Sequence, residues 1–375
     1  MKKRIIILGA TGSIGFNTLD VVRRFHEDFE IVGMTAHTQT ELLCKIAQEF
    51  DVKNLALSGK VKQIEEISHY GSQGVLDLIH QTEADIVVNG ISGAAGLMPS
   101  VVTLESDKDL ALANKETVVT AGPLISELAK SKNKRIQPVD SEHAAIFQLT
   151  RFRPENHLKK IILTSSGGPF RNTDHESMKK ATLKDALNHP TWAMGSKISI
   201  DSATLANKGL EVIETVHLFG VSPDMIDVLI HPQSLVHSLI KATDGSQYAQ
   251  ISEPDMKVPI MNALLYPEIG NTMFKDLDLT DKVLEFFKPD TQRFPMLKYA
   301  YEVLRAEGSY SIAFNAANEV AVEAFISGQI KFMDIPELVS SVLQLDWSQK
   351  SLSFAEVLSI DRKVREKSIE ILESI

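Results

Sequence analysis

The chain is poor in the features that mark whole classes of protein. It carries one cysteine, Cys44, in 375 residues, which excludes an intrachain disulfide and a cysteine-rich zinc site and suits a reducing cytoplasm. Basic residues are outnumbered, 39 Lys and Arg against 49 Asp and Glu, for a formal net charge of −10. That balance argues against nucleic acid or an anionic membrane as partner, because each needs a cationic surface. Long apolar runs are missing as well. Lys2, Lys3 and Arg4 ahead of Ile5-Ile6-Ile7-Leu8 imitate a signal peptide, but the run stops at Gly9. No later stretch approaches the ~20 residues of a membrane span. Nor is there an internal repeat, a low-complexity tract or a long linker. What remains is an ordinary soluble composition, 43% apolar and 23% charged, in a chain too long for one compact core. Two or three domains are expected.

Arg4-Ile5-Ile6-Ile7-Leu8 is a short β-branched run of the kind buried in parallel sheets, and it leads into Gly9-Ala10-Thr11-Gly12-Ser13-Ile14-Gly15. A helix with Leu19, Val22 and Phe25 inward follows. Strand, glycine turn and helix in this order form the dinucleotide-binding arrangement, in which glycines admit a pyrophosphate to a helix N-terminus. The spacing is Gly-x-x-Gly-x-x-Gly, and alone it could simply join a strand to a helix. A second strand ends at Ala36-His37-Thr38, where an NAD-binding chain would carry an acid for the ribose 2′-hydroxyl. With no carboxylate to repel a 2′-phosphate, and with hydroxyls and an imidazole to contact it, NADPH is preferred; His37 could equally be a solvated loop residue. Strand-like runs recur at 55–57, 85–90 and 110–114, with a second Gly-rich turn over 90–96. The span to residue 140 therefore reads as an open parallel sheet covered by helices, with Asn89, Asn114, Lys115 and Glu116 at its carboxyl edge, where ligands bind. Lys115 and Glu116 could also be an ordinary exposed pair.

Pro138-Val139-Asp140-Ser141-Glu142-His143 follows directly. In an extended chain residues two apart share a side, so Asp140 and Glu142 could aim at one small cation, and hard oxygen ligands suit Mg²⁺ or Mn²⁺. Equally, Asp140 could cap a helix starting near Ser141 with Ala144, Ala145, Phe147 and Leu149 buried. On spacing alone the cap is favoured. Beyond a strand at 160–164, Ser165-Ser166-Gly167-Gly168-Pro169 is either an anion-binding nest or a plain turn. Trp192 lies among the helix breakers of 187–195, as in a closing lid or in a loop packed on the core. A helix running from Ser202 would place Asn207, Lys208 and Glu211 on one face; the plainer view of the last two is an exposed ion pair. Gly209 costs about 1 kcal/mol in a helix interior, which suggests close approach by a ligand or another backbone. Period-two patterns around 235–252 indicate antiparallel strands, 267–295 is irregular, and helical periodicity runs from Met296 onward.

Jointly these features describe a nicotinamide site, a carboxylate-bound cation, an anion pocket and a lid. Their stretches, above all residues 9–15, 111–116, 138–143, 166–170, 189–197, 201–211, 253–256 and 315–321, resemble the 1-deoxy-D-xylulose 5-phosphate reductoisomerases of the non-mevalonate isoprenoid pathway from end to end. The resemblance implies an α/β fold with an N-terminal Rossmann-like parallel sheet (1–140) that binds NADPH. It further implies a central α+β catalytic domain (141–265) with a flap at 186–197, a connecting arm (266–295) and a C-terminal helical bundle (296–375). Asp140, Glu142 and Glu211 match the ligands of Mg²⁺ or Mn²⁺, and Lys115 matches a residue near the reacting hydroxyls. Ser141, Glu142, Ser166, His189, Trp192, Ser202, Asn207, Lys208 and Glu211 match substrate positions, with Trp192 and Met194 in the flap. Thr11, Gly12, Ser13, Ile14, Asn114, Glu116 and Gly195 match NADPH contacts, and Ala36, His37 and Thr38 stand at the expected 2′-phosphate position. Where the family commonly has Gly-Lys-Asn, this chain has Ala36-His37-Thr38, and the lost lysine bears on how firmly the 2′-phosphate is gripped. The implied activity is isomerisation and reduction of a small phosphorylated sugar by a cytoplasmic homodimer. Two rivals remain open: a metal-dependent NADP hydroxy-acid dehydrogenase, and a non-catalytic NADPH sensor. Because the resemblance places the Ser141 hydroxyl on the substrate, the extended chain is expected to break at Ser141, with a helix starting there and Glu142 bending back toward the cation.

Overall fold

The computed structural model describes residues 2–151, 157–192, 194–270 and 274–374. Two compact units are present, and each gathers separate parts of the chain. The first comprises Met1–Thr117, Ile125–Ala144 and Asp255–Lys275. Its seven strands are β1 (Lys3–Leu8), β2 (Phe29–Ala36), β3 (Asn54–Leu57), β4 (His69–Tyr70), β5 (Ile86–Asn89), β6 (Asp109–Leu112) and β7 (Ile136–Pro138), in the order β4-β3-β2-β1-β5-β6-β7. Every pairing is parallel. Ile5, Ile6, Ile7 and Leu8 of the central strand are wholly buried, because helices cover both faces, and this is why β1 reads as an unbroken apolar run. The order reverses between β1 and β5, and that switch point is where an open parallel sheet offers its ligand crevice.

One helix of this unit comes from far along the chain. Lys257–Leu265 packs against Ser13–Arg24, and its Ile260, Met261 and Leu264 share a core with Ile5, Leu19 and Met34. Lys3 ties the return in place, its ammonium donating to the Leu264 carbonyl at 2.5 Å.

The second unit comprises Val118–Leu124, Ala145–Pro254 and Asp276–Ile375. Its sheet holds β8 (Leu158–Ser165), β9 (Ile226–Ile230), β10 (Val236–Ala242) and β11 (Gln247–Ile251) in the order β11-β10-β8-β9. β10 is antiparallel to β8 and β11, whereas β8 and β9 are parallel. The alternation at 235–252 is thus that of an antiparallel pair. Among the described residues, 266–295 forms no helix or strand beyond one bridge of Phe287 with Ile230. Four helices follow, Met296–Ala306, Tyr310–Ile326, Asp334–Leu343 and Phe354–Leu372, with Tyr310–Ile326 packed on each of the others.

One local feature differs from the pattern reading, and another decides between two alternatives it left open. The helix expected to run on from Ser202 is interrupted: Ser196–Thr204 stops, Leu205 takes a left-handed conformation (φ 61°), and Ala206–Phe219 begins anew. A Cβ on Gly209 would stand 3.2 Å from the Met296 carbonyl and 3.0 Å from Ala300 Cβ. The missing side chain therefore admits the helix Met296–Ala306, not a ligand.

Candidate active site

In the first unit the expected nucleotide end is built mainly of backbone. Gly9 turns the chain out of β1 at φ 77°, its N–H donating to Thr35 Oγ1 at 3.1 Å and that of Ala10 to the Thr35 carbonyl at 2.8 Å. A Cβ on Gly15 would fall 2.4 Å from the Gly9 carbonyl oxygen, so only glycine lets the helix start this close to the strand end. Gly12 and Ser13 are exposed at that helix N-terminus, with Thr11 and Ile14 half-buried beside them. Across the switch point the second glycine loop is held by Asn114. Its side-chain amide donates to the carbonyls of Ile91 and Gly93, both at 2.8 Å, and to Glu116 at 2.9 Å, while its oxygen caps the next helix through the Thr117 N–H at 3.0 Å. At the end of β2, Ala36 is buried, His37 and Thr38 are exposed, and His37 Nδ1 lies 2.9 Å from Ser58 Oγ.

The acidic stretch occupies the carboxyl edge two strands further on. Leu112 of β6 pairs with Pro138 of β7. Lys115 and Asp140, three and two residues beyond that pair, thus emerge side by side. Lys115 Nζ is 2.7 Å from Asp140 Oδ2, and His143 Nδ1 is 3.8 Å from Oδ1. Burial alone would raise the Asp140 carboxyl, but the Lys115 ammonium, with the nearby His143 ring, outweighs it and holds the group well below the usual carboxylate range. A helix starts at Ser141 and runs to Thr150. Asp140 serves it, accepting the Glu142 N–H at 3.3 Å, so the cap and the charged cluster coexist in one residue. The Ser141 hydroxyl donates to Glu142 Oε2 at 2.5 Å.

The second unit presents its polar groups from loops and helices. After β8, Gly167 and Gly168 both take positive φ, 84° and 70°. Their N–H groups donate to the hydroxyls of Ser165 and Ser166, each at 3.2 Å. His189 Nε2 stands 2.9 Å from Ser166 Oγ, while its Nδ1 accepts backbone N–H bonds from Thr191 at 3.2 Å and Trp192 at 2.9 Å. An Nδ1 that accepts twice carries no proton, so Nε2–H is the donor to Ser166. Burial lowers the imidazole pKa to about 4, keeping the ring neutral. Trp192 lies 6.4 Å from the His237 ring, centroid to centroid. Gly195 starts the helix that holds the buried Ser202. On the following helix Asn207 Nδ2 donates to Glu211 Oε1 at 2.6 Å, and Lys208 Nζ contacts Glu211 Oε2. Lys208 and Glu211 are 2% and 1% exposed, so the exposed-pair reading is wrong for them. A buried charge pair offers little net stability for its desolvation, and its presence points toward function.

Comparison with known proteins places this geometry. A family model described as 1-deoxy-D-xylulose 5-phosphate reductoisomerase matches residues 5–122, and models of that enzyme's C-terminal domains match 136–219 and 251–367. A 1-deoxy-D-xylulose 5-phosphate reductoisomerase of Treponema denticola is 47% identical over 97% of this chain and 96% of its own length. One of Thermoanaerobacter pseudethanolicus is 44% identical over 97% and 98%. The chain belongs to the 1-deoxy-D-xylulose 5-phosphate reductoisomerase family. Among solved structures, a reductoisomerase from Zymomonas mobilis in complex with NADPH has a TM-score of 0.89 at 34% identity and covers both chains completely. A DOX-P reductoisomerase in complex with NADPH, fosmidomycin and magnesium has a TM-score of 0.90 at 36% identity, covering 99% of this chain and 98% of that one.

For this reductoisomerase family member, the first unit brings Lys115, Asp140, Ser141 and Glu142 together and links Asn114 and Glu116 to the second glycine loop. The second unit joins Ser166 to His189, and Asn207 and Lys208 to Glu211. Of the expected flap, residue 193 lies outside the described residues. Pattern reading passed over Ser58, His237 and Asp201. Ser58 follows a four-residue strand with no motif around it, and Asp201 looks like any polar residue ahead of a helix. His237 alone carried a signal, a histidine in an alternating strand, and it is buried although it shares its side of β10 with half-buried Leu239 and Lys241.

Proposed function

We propose that this chain converts 1-deoxy-D-xylulose 5-phosphate to 2-C-methyl-D-erythritol 4-phosphate, an isomerisation followed by NADPH-dependent reduction, in isoprenoid precursor biosynthesis. The observation that carries this reading is the Lys115–Asp140 pair at 2.7 Å, set at the carboxyl edge of a nucleotide-binding sheet. Asp140, Glu142 and Glu211 would hold a Mg²⁺ or Mn²⁺ ion. The donor set fits: three carboxylates and no sulfur, with Asp140 kept ionised by its neighbours. When bound, the cation supplies Lewis acidity toward the substrate's ketone and hydroxyl oxygens, and NADPH supplies the hydride.

The chain's own residues bind, orient and shield. Lys115 places an ammonium proton beside the reacting hydroxyls, and Ser141, whose hydrogen goes to Glu142 Oε2, offers its hydroxyl oxygen to a substrate hydroxyl. Ser166 accepts from His189 Nε2–H and from the Gly168 N–H, which leaves its own hydrogen to donate to a phosphate oxygen. Ser202, Asn207 and Lys208 complete the phosphate grip with a hydroxyl, an amide and an ammonium. Trp192 and Met194 cover the bound sugar phosphate, so that binding energy from the non-reacting phosphate drives flap closure and keeps water from the intermediate.

For NADPH, Thr11, Gly12, Ser13 and Ile14 receive the pyrophosphate, while Ala36, His37 and Thr38 face the 2′-phosphate. Asn114, Glu116 and Gly195 line the remainder. Residues 1–140 take the nucleotide role and 141–265 the catalytic one, save that the helix Lys257–Leu265 returns to pack in the first unit; 266–295 serves as an arm and 296–375 as a supporting bundle. No helix among the described residues is long and apolar enough to cross a membrane. A cytoplasmic homodimer acting on a small phosphorylated sugar completes the reading. Glu211→Gln tests it: turnover should vanish while NADPH affinity, measured by fluorescence titration, stays near wild type. Equal loss of both would contradict the metal assignment.

A further inference from the structure

Asp201 has no role in the scheme above, yet its carboxylate is 1% exposed. Burial to that degree is tolerated only when the charge is paired and hydrogen-bonded. Two partners supply this. Lys197 Nζ, one helical turn earlier, lies 2.8 Å from Oδ2, and Asn318 Nδ2 donates to Oδ1 at 2.8 Å. Lys197 stands where the flap segment rejoins the helix Ser196–Thr204. Asn318, wholly buried, is midway along Tyr310–Ile326, the helix around which the C-terminal bundle packs. The carboxylate therefore pins the flap-bearing helix to the most heavily packed element of its unit.

The residue after Asp201 is Ser202, and its backbone meets the anion loop directly. A Cβ on Gly168 would fall 2.5 Å from the Ser202 carbonyl oxygen and 3.2 Å from Ala203 Cα, at a φ of 70°. Glycine is required there for space and for conformation alike. With backbone against backbone, the loop that presents Ser166 takes its position from the helix that presents Ser202.

We infer that Asp201 is a positioning residue for the substrate's phosphate: clamped between Lys197 and Asn318, it holds Ser202 in register with the Ser166–Gly168 loop. This rests on the reading of Ser166 and Ser202 as phosphate ligands. Asp201→Asn tests it, because the amide keeps the size of the side chain and an oxygen for Asn318 but removes the charge facing Lys197. The Michaelis constant for deoxyxylulose phosphate and the inhibition constant of inorganic phosphate should each rise about tenfold, the effect of losing one charge-assisted hydrogen bond. The maximal rate and the NADPH dissociation constant should stay within about twofold of wild type. A general packing defect would instead lower the active fraction and the melting temperature without moving these constants in the folded enzyme.

A folded Asp201→Asn variant with both phosphate-dependent constants unchanged overturns the inference. Should that variant fail to fold, Asn318→Ala, which leaves the Lys197 pair intact, must raise the same two constants, and unchanged values there overturn it equally. A wild-type chain that binds NADPH but neither turns over deoxyxylulose phosphate nor responds to phosphate would overturn the functional reading itself. An active wild type with unaffected variants overturns the role of Asp201 alone.

Discussion

The two units build their polar sites from different materials. In the first, the nucleotide end is a matter of backbone: a glycine turn at φ 77°, a helix start that no Cβ may enter, and an amide side chain that staples one loop to another. In the second, the corresponding work falls to buried side chains, with Lys208, Glu211, Asp201 and Asn318 almost fully removed from solvent. The first kind of site depends on shape and the second on charge balance. They should fail in different ways.

Lys208→Met is expected to have the largest effect on stability. It leaves the Glu211 carboxylate buried without its ammonium, which costs about 3 kcal/mol or more, read as a lower urea midpoint in chelator-treated protein. Gly15→Ala comes next. Its new methyl would meet backbone at 2.4 Å, so the strand-to-helix turn must shift; a stability loss of about 1–3 kcal/mol and a clear loss of NADPH affinity are expected. The reverse ranking of these two in stability would break the comparison.

A further expected effect is on pH dependence and sharpens the same contrast. Burial lowers His217 and His189 of the second unit to about 4, below their ordinary value of 6.5. The unfolded chain therefore binds more protons than the folded one between these values. Stability is undiminished above about pH 6.5, declines as pH falls toward 4, and levels off below. Urea midpoints at pH 7 and pH 5 should differ in that direction, and His217→Gln should flatten the difference.

The same contrast explains what could be read in the sequence. β1, its glycine turn and the following helix were legible because a backbone site leaves its mark in glycine spacing and an apolar strand. The helix start at Ser141 was also legible once Asp140 was weighed as a cap. Leu205 was not, since a left-handed leucine has no local signal and is held there by what packs around it. The helix Lys257–Leu265 looks like any apolar helix, and nothing local says that it docks beside Ser13–Arg24. The packing of the His217 ring on Gly122, where a Cβ would stand 2.3 Å from Cγ, likewise came only with the fold. Charge-built features such as Asp201 with Lys197 and Asn318 stayed hidden for the same reason: their partners are 4 and 117 residues away, and only the fold brings the farther one near.

The central claim is most directly tested by following NADPH oxidation by the purified chain with 1-deoxy-D-xylulose 5-phosphate, in chelator and then with added Mg²⁺ or Mn²⁺, and identifying the product by NMR. Oxidation that requires both the sugar phosphate and the metal, and yields the branched 2-C-methyl-D-erythritol 4-phosphate, is the predicted result. Oxidation indifferent to metal, or a reduced product with an unrearranged carbon chain, would contradict it.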